Sequence, residues 1–231
     1  MYDQAMKTKK SKLKPTQIRI GAPARRALIL HEASEIFTRE GIENTSMRKI
    51  AAKAGVTAAL LYKHFADKDE LLMAIGEEFF LLLAHYMDKA LGNATEPLDQ
   101  LKRQMRAYVT CGIENPRAYH LTFMTALPRL RRGQELRAYR ARTRRGEHIP
   151  PSELTNGIKC FGRLENAVAA VVKTNVTRTK DIAALSEVVW ANGHGLVSLV
   201  ITHADFGFSS TKKLIDLSIE TTLFGLLHDG S

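Results

Sequence analysis

The chain has 231 residues, of which 45% are hydrophobic, and it carries a formal net charge of +10 at pH 7. This length and apolar content support a real hydrophobic core, either in one large domain or in a small domain joined to a larger one. The longest apolar runs, such as residues 81–84, are far shorter than the roughly 20 residues that a membrane-spanning helix requires. We therefore expect no membrane partner.

The cysteines and the N-terminal residues bear on where the protein works. Cys111 and Cys160 have no metal-site spacing, and no apolar segment follows the N-terminal lysines, as a secretion signal would require. We expect a cytoplasmic protein with reduced, buried cysteines and with no metal site or cofactor. The positive charge favours a polyanionic partner, although charge bears on association and not on fold.

Residues 1–24 are predicted to form a basic N-terminal arm. Asp3 is the only acidic residue before the first helix, and residues 1–20 lack an apolar period, so we expect them to be disordered in free solution. The arm either contacts DNA phosphates or the adjacent minor groove, or it is a solvated tail. Its basic residues, with those that open the first helix, are Lys7, Lys9, Lys10, Lys12, Lys14, Arg19, Arg25 and Arg26.

The pattern of residues 24–65 predicts one helix followed by two short ones. The first spans residues 24–40, and the short pair in residues 45–65 is hinged at Gly55, with Ser46 placed to cap one and Thr57 the other. Such a tight turn is typical of a helix-turn-helix, whose second helix enters the DNA major groove. An ordinary helical hairpin has the same spacing, but Asp67 caps a further helix that can complete a compact unit.

Three motifs in this region carry a family resemblance. They are Ala33-x-x-x-Phe37-x-x-x-Gly41, Thr45-Ser46-x-Arg48-x-Ile50-Ala51-x-x-Ala54-Gly55-Val56-Thr57 and Leu61-Tyr62-x-His64-Phe65-x-x-Lys68-x-x-Leu71. In residues 25–83, about a quarter of the chain, the protein resembles the tetracycline-repressor (TetR) family of bacterial transcriptional regulators. Residues 190–195 resemble, more weakly, the Trp-His-Gly class of C-terminal ligand domain in that family.

The rest of the chain is predicted to be helical. A fourth helix covers residues 67–91, Thr95 caps a fifth, and Asn115-Pro116 opens a sixth that stops before Pro128. A long helix follows over residues 152–172, and the last two cover residues 181–204 and 211–227.

An arginine cluster lies between Pro128 and Pro150, offset nearby only by Glu135 and Glu147. Three interpretations stay open: a solvated helix and loop whose arginines pair with acids, a site for an acidic effector, or a second nucleic-acid contact. The cluster consists of Arg129, Arg131, Arg132, Arg137, Arg140, Arg142, Arg144 and Arg145.

The last two helices are apolar on several faces at once. A helix with that pattern must be buried on two sides, and the second side is most simply another copy of the protein. Gly193 and Gly195, each costly inside a helix, suggest a close helix approach or a local break that serves a pocket. The family resemblance implies a four-helix bundle between two subunits here.

These patterns together predict an all-α fold. An N-terminal three-helix helix-turn-helix unit is joined by a long helix to a larger helical domain for ligand binding and dimerisation. The predicted boundaries are residues 1–24 for the arm, 25–72 for the DNA-binding domain and 73–231 for the effector-binding and dimerisation domain.

The DNA-contacting residues are predicted from the motifs. Arg48 is the candidate for a base-edge contact, because a guanidinium pairs with both guanine acceptors. Lys63 could contact a base or a phosphate. The candidate phosphate contacts are Ser46, Thr57, Tyr62, His64 and Lys68.

The recognition helix opens with Ala58, Ala59 and Leu60. Relatives often carry glycine or proline and then threonine where this chain has Ala59 and Leu60, so these two apolar residues favour contact with thymine methyl groups. Leu61 and Phe65 match core positions of the family.

A ligand site in the C-terminal domain is predicted from bulky or polar-tipped residues that would converge if the helices pack as in the family. An ordinary core position is the alternative for each of them, and nothing in the sequence names the effector. The candidates are Met105, Tyr108, Phe123, Met124, Phe161, Trp190 and His194.

The sequence favours a ligand-responsive homodimeric repressor that releases a palindromic double-stranded DNA operator when an unidentified small molecule binds. A DNA-binding regulator or architectural protein without an effector is the alternative. We expect no enzyme, because the chain has no phosphate-binding glycine loop, no His-Glu-x-x-His pair and no Gly-x-Ser-x-Gly motif.

Overall fold

A computed structural model describes residues 21–125 and 132–227, and in these ranges the chain is built from α-helices without a β-strand. The arm over residues 1–20, and Arg129 and Arg131 of the arginine cluster, lie outside the described residues. The helices are α1 (Ala22–Glu40), α2 (Met47–Lys53), α3 (Ala58–His64), α4 (Lys68–Leu91), α5 (Pro97–Glu114), α6 (Pro116–Tyr119), α7 (Arg132–Arg144), α8 (Asn156–Lys173), α9 (Ile182–Thr202) and α10 (Thr211–Leu226). The all-α prediction is confirmed.

Helix starts agree with the sequence where a capping side chain sets them. The side chains of Ser46, Thr57 and Asp67 each accept a hydrogen bond from the backbone N–H three residues later. The prediction for Thr95 is wrong: α5 is preceded by Glu96 without a side-chain cap, because Pro97 already supplies a suitable first-turn backbone. The helix predicted from residue 152 begins at Asn156, where Thr155 accepts from the Ile158 N–H at 3.4 Å.

The sixth helix changes type part-way. Four α-helical residues, Pro116–Tyr119, continue into a π-helical turn over His120–Met124. Such wide turns are rare and are often found at functional sites. Here the residues of the turn are divided between two hydrophobic clusters.

Two hydrophobic clusters fill the molecule, and α4 contributes to both. Leu71 and Ile75 of α4 belong to a cluster with residues of α1, α2 and α3, whereas Phe79 and Leu83, further along α4, belong to a cluster with residues of α5, α8, α9 and α10. Leu121 of the π-helical turn belongs to the N-terminal cluster although its neighbours belong to the other. Because α4 is continuous over 24 residues, or roughly 36 Å, one rigid element joins the two cores.

A second link joins the two parts beside α4. Arg117 of α6 donates to the Glu35 carboxylate of α1. Together with the buried Leu121 side chain, this ion pair holds α6 and the π-helical turn against the N-terminal helices. The helix-turn-helix unit therefore contacts the larger core at two places.

The last two helices carry apolar side chains on their inner and outer faces. Leu223 is 3% exposed in the core, whereas the neighbouring Phe224 is 75% exposed. Val188, Leu199 and Leu217 also lie about half exposed on this outer face. By length and composition alone, α9 could cross a membrane; in the structure it contacts α5, α8 and α10.

Candidate DNA interface and ligand cavity

The helix-turn-helix is built as the local sequence dictates. The Ser46 hydroxyl accepts from the Lys49 N–H at 3.3 Å, and the Thr57 hydroxyl accepts from the Leu60 N–H at 3.1 Å. Gly55 has a φ of +64°, the left-handed conformation that favours glycine at a helix end. Leu61 and Phe65 are 0% and 2% exposed, so they hold α3 onto the unit as core residues.

The opposite face of α2 and α3 is open to solvent. Tyr62 is 51% exposed, and Arg48 and Lys63 are also exposed. The other predicted DNA contacts are exposed at Ser46, Thr57 and Ala59 and half-buried at Ala58, Leu60, His64 and Lys68. Ser46 and Arg48 lie at the start of α2, Lys68 lies at the start of α4, and the other seven lie in α3 or at its N-cap. Ala58 also packs against the N-terminal core.

The positively charged side chains of the helix-turn-helix differ in whether they pair with acidic residues. Lys49 donates to the Glu40 carboxylate, and Nζ of Lys53 lies 3.8 Å from Oε2 of Glu32. Over residues 21–125 and 132–227, by contrast, the Arg48 guanidinium has no acidic partner. Its charge is therefore available to an external anion.

Lys68 has a structural contact that the sequence did not reveal. Its ammonium donates to the Ile42 carbonyl at 2.7 Å and so ties the start of α4 to the turn after α1. An ammonium has three donors, so two remain for a phosphate. Its predicted phosphate contact remains a prediction.

A cavity of about 630 Å³ lies in the C-terminal core between α4, α5, the π-helical turn, α7, α8 and α9. Four of the seven predicted ligand residues line it, namely Tyr108, Phe123, Phe161 and Trp190. Its size is within the range of small-molecule sites, and most of its lining is apolar.

The other three predicted ligand residues lie elsewhere. Met105 lines a separate cavity of about 30 Å³ that shares Tyr108 and Trp190 with the large one. Met124 packs partly buried on the C-terminal core. His194 does not line the large cavity but stacks on Tyr119, with ring centroids 5.6 Å apart.

Several lining residues were missed by sequence reasoning. They include Met73, Glu77 and Phe80 of α4 and Gly157 and Cys160 at the start of α8. A Cβ at position 157 would lie only 3.0 Å from the Phe80 ring, so glycine lets α8 approach α4 at the cavity wall. The available signal was the all-round apolar character of α4 near Phe80.

Glu77 has a defined role in the wall. Its carboxylate accepts from the Asn156 N–H at 2.9 Å, at the first residue of α8. A carboxylate suits this position because the N-terminal end of a helix is positive. Glu77 thus fixes the junction of α4 and α8 at one end of the cavity.

A chain of hydrogen bonds leads from two residues that line the cavity, Trp190 and Tyr108, to two that do not line it, Tyr119 and His194. The Trp190 indole N–H donates to the Tyr108 hydroxyl at 3.1 Å, the Tyr108 and Tyr119 hydroxyls lie 2.9 Å apart, and the Tyr119 hydroxyl lies 2.6 Å from Nδ1 of His194. Burial raises the pKa of Tyr108 to about 12, raises that of Tyr119 and lowers that of His194. All three groups are therefore neutral near pH 7.

The two helix glycines of α9 behave differently. A Cβ at Gly193 would come within 3.2 Å of the Tyr108 ring, so this glycine permits the close approach that the sequence suggested. Nothing lies within 4 Å of a Cβ at Gly195, and α9 runs unbroken through both positions. Within the described chain a close approach is thus found at Gly193 and not at Gly195, where an approach by a second copy stays a prediction.

The described arginines of the cluster include several that pair with acidic residues. Arg140 donates to Glu165 and Glu187, at 2.8 Å and 2.7 Å, and its guanidinium lies 5.2 Å from the centre of the Phe161 ring. Arg142 bonds Glu147 and Glu153 on the surface. These contacts fit the interpretation in which the arginines pair with acids and pack on the core.

Both cysteines are free and buried, as predicted. Burial raises the pKa of Cys111 to about 12 and that of Cys160 to about 11. Neither thiol is therefore ionised near pH 7, although Cys160 lines the cavity.

Residues 29–75, which include the helix-turn-helix, match the family model of bacterial regulatory proteins, tetR family. In these residues the N-terminal unit is similar to that family. The match covers α2, α3, most of α1 and the start of α4, and so includes all ten predicted DNA-contacting residues.

Curated relatives resemble this chain over part of its length. The HTH-type transcriptional activator FasR of Mycolicibacterium smegmatis is 30% identical over 105 residues, 46% of this chain and 48% of the relative. The HTH-type transcriptional repressor KstR2 of the same species is 32% identical over 78 residues, 34% of this chain and 38% of the relative. The chain thus spans less than half the length of either relative.

The fold similarity extends further than the sequence similarity. A bacterial regulatory protein in the tetR family from Rhodococcus RHA1 has a crystal structure that matches with a TM-score of 0.65 at 20% identity. The match covers 89% of this chain and 98% of that one. At this identity the comparison supports the fold alone.

Proposed function

We propose that this protein is a DNA-binding transcriptional regulator that works as a homodimer in the cytoplasm and responds to a small, mainly apolar molecule. The observation that carries the proposal is the tetR-type helix-turn-helix, whose exposed face is joined by one continuous helix to a ligand-sized cavity. The C-terminal part would belong to the Trp-His-Gly class that residues 190–195 resemble. In this chain Trp190 bonds the Tyr108 hydroxyl and His194 bonds the Tyr119 hydroxyl.

On the DNA side, α3 would enter the major groove. Arg48, exposed and without an acidic partner among the described residues, would read a guanine edge, a contact worth roughly 1–3 kcal/mol of discrimination. Ala59 and Leu60 at the start of α3 would contact thymine methyl groups. The remaining hydroxyl, phenol, imidazole and ammonium groups of this surface would bind phosphates and fix the position of the protein.

On the dimer side, the outer faces of α9 and α10 would pack against their copies around a two-fold axis. This would bury Phe224, Leu199 and Leu217, which are 75%, 51% and 49% exposed in the single chain. Large apolar side chains gathered on one face of a monomer are typical of an interaction surface. Two recognition helices related by the same axis would then read a palindromic operator with half-sites roughly 34–36 Å apart.

The ligand would act by moving the helix-turn-helix units. Met73 and Glu77 of α4 line the cavity only a few residues from Leu71 and Ile75 of the N-terminal core. The π-helical turn offers a second route, since Phe123 lines the cavity and Leu121 packs in the N-terminal core. A ligand that tilts α4 or shifts this turn would change the separation of the two recognition helices and so release operator, as in a repressor.

The test uses DNA from the region flanking the gene and measures binding by fluorescence anisotropy. Arg48→Ala should lower affinity for the specific site much more than for random DNA, because it removes a contact that carries sequence information. Lys68→Ala should weaken both alike and reduce the salt dependence by about one unit of slope.

Lys63→Ala is measured as well, because Lys68 also bonds the Ile42 carbonyl and its loss can loosen the fold. Lys63 could contact a base or a phosphate, and equal losses for both DNAs would assign it to a phosphate. Equal losses of specific and random binding in Arg48→Ala would remove the role proposed for Arg48. Failure of the wild-type protein to bind any DNA tightly would overturn the regulator itself.

A further inference from the structure

The direction of the hydrogen-bond chain of Trp190, Tyr108, Tyr119 and His194 is set at one end by the Trp190 N–H and at the other by the tautomer of His194. An indole N–H can only donate, so Tyr108 accepts from Trp190. At the other end, an unprotonated imidazole nitrogen is a better acceptor than a phenol oxygen, and a phenol is a good donor. With the imidazole proton of His194 on Nε2, Tyr119 donates to Nδ1 across their 2.6 Å separation, and this is the arrangement on which the proposal below is built.

The same direction fixes the remaining hydroxyl. With the Tyr119 proton directed to His194, the Tyr119 oxygen accepts the proton of Tyr108. The Tyr108 oxygen then has its own proton engaged and one lone pair taken by Trp190, which leaves it a single free lone pair. Tyr108 lines the large cavity, so this lone pair is the hydrogen-bonding capacity that Tyr108 has left to offer a ligand.

The surroundings hold this arrangement in place. Gly193 lets the Tyr108 ring lie against α9, and Tyr119 is fully buried with its ring against Phe79 and Phe123. Among the described residues, His194 is faced by the aromatic rings of Tyr119, Phe123 and Trp190 and not by a charged side chain. A neutral imidazole is the form that suits such an environment.

We propose that the cavity takes a mainly apolar molecule that carries a hydroxyl or N–H group, and that this group donates a hydrogen bond to the Tyr108 oxygen. The inference rests on the proposed function, because it names the ligand class of that regulator's cavity. Tyr108 recognises the ligand directly, while Tyr119 and His194 are positioning residues that make Tyr108 an acceptor. A ligand with a carbonyl at the same place would leave this acceptor unpaired.

The test compares a matched pair of probes, 4-phenylcyclohexanol and 4-phenylcyclohexanone, which differ in a donor hydroxyl and an acceptor carbonyl. Binding is followed by the fluorescence of Trp190, which is the single tryptophan of the chain and lines the cavity. The alcohol should bind roughly three- to tenfold more tightly than the ketone, the effect expected from one neutral hydrogen bond.

Two variants separate the roles in the chain. Tyr108→Phe removes the acceptor and should abolish the difference between the probes. Tyr119→Phe removes the group that takes the Tyr108 proton, so Tyr108 can donate and the preference should reverse towards the ketone. Tyr86→Phe is the matched control, since it deletes a phenol hydroxyl that bonds Glu114 away from the cavity, and it should leave both affinities unchanged.

Wild-type protein that binds the ketone as tightly as the alcohol, or that fails to bind the alcohol, would overturn the inference, as would an undiminished alcohol preference in Tyr108→Phe. If Tyr119→Phe does not fold, the wild-type comparison and Tyr108→Phe still decide. A protein that prefers the alcohol and binds no DNA would retain this inference and lose the proposed function. A protein that binds DNA and shows no preference between the probes would retain the proposed function and lose this inference.

Discussion

Phe224 offers the sharpest test of the dimer proposal. It is 75% exposed on α10, while its neighbour Leu223 is 3% exposed in the core, so a change at Leu223 would disturb folding before association. A phenylalanine side chain presents about 200 Å² of surface, so the exposed part amounts to ~150 Å². At ~25 cal/mol per Å², burial of this area would contribute up to about 4 kcal/mol per subunit, and twice that in a symmetric dimer.

Phe224→Glu should therefore convert a dimer into monomers at micromolar concentration and weaken binding to operator. Light scattering coupled to size-exclusion chromatography measures the mass directly, and circular dichroism checks that the helices remain. Leu81→Glu, at an apolar position of α4 that is 51% exposed, is the matched control and should leave the dimer intact. A monomeric wild-type protein, or a Phe224→Glu variant that dimerises as well as wild type, would refute the reasoning.

The remaining predictions concern coupling and pH. Operator DNA should weaken binding of the cavity ligand by the same factor by which the ligand weakens operator binding, a coupling of roughly 1–3 kcal/mol. Calorimetry measures the ligand affinity with and without operator DNA, and identical affinities would exclude the mechanism. Leu121→Ala should reduce that coupling while the protein still binds operator DNA and the cavity ligand, because Leu121 packs the π-helical turn against the N-terminal core. An unchanged coupling would show that the Leu121 contact does not transmit the effect of the ligand. Burial lowers the pKa of His194 from 6.5, so the unfolded chain binds more protons and stability should be lost as pH falls below about 6.5. Thermal melts of wild type and His194→Gln should show a smaller loss on acidification in the variant, and equal losses would contradict this account.

Local signals in the sequence were enough to predict the helix-turn-helix. The caps at Ser46, Thr57 and Asp67 and the left-handed Gly55 each depend on residues within one turn, so the sequence alone identifies them. Thr95 failed as a cap because Pro97 fixes the start of α5 two residues later. Thr95 and Pro97 predict different first residues for α5, and the observed helix begins at Pro97.

The cavity was harder to predict because it depends on contacts distant in sequence. Bulky aromatic residues such as Phe123 and Trp190 could be proposed from their type, whereas Glu77 and Gly157 line the wall only because α8 crosses α4 there. His194 was expected to contact ligand, yet it supports Tyr119, which in turn bonds Tyr108. Residue type was enough to propose which side chains could form a ligand site. Which of them line the cavity and which support it depends on how the helices pack.

The central claim is that a symmetric pair of helix-turn-helix units reads DNA. The most direct measurement is selection of binding sites from a random double-stranded DNA library with the full-length protein, followed by sequencing of the enriched fragments. The account predicts an inverted repeat with half-sites roughly 34–36 Å apart, or a multiple of that turn, and loss of the enriched guanine contact in Arg48→Ala. Enrichment of a site without inverted symmetry, or no enrichment at all, would contradict it.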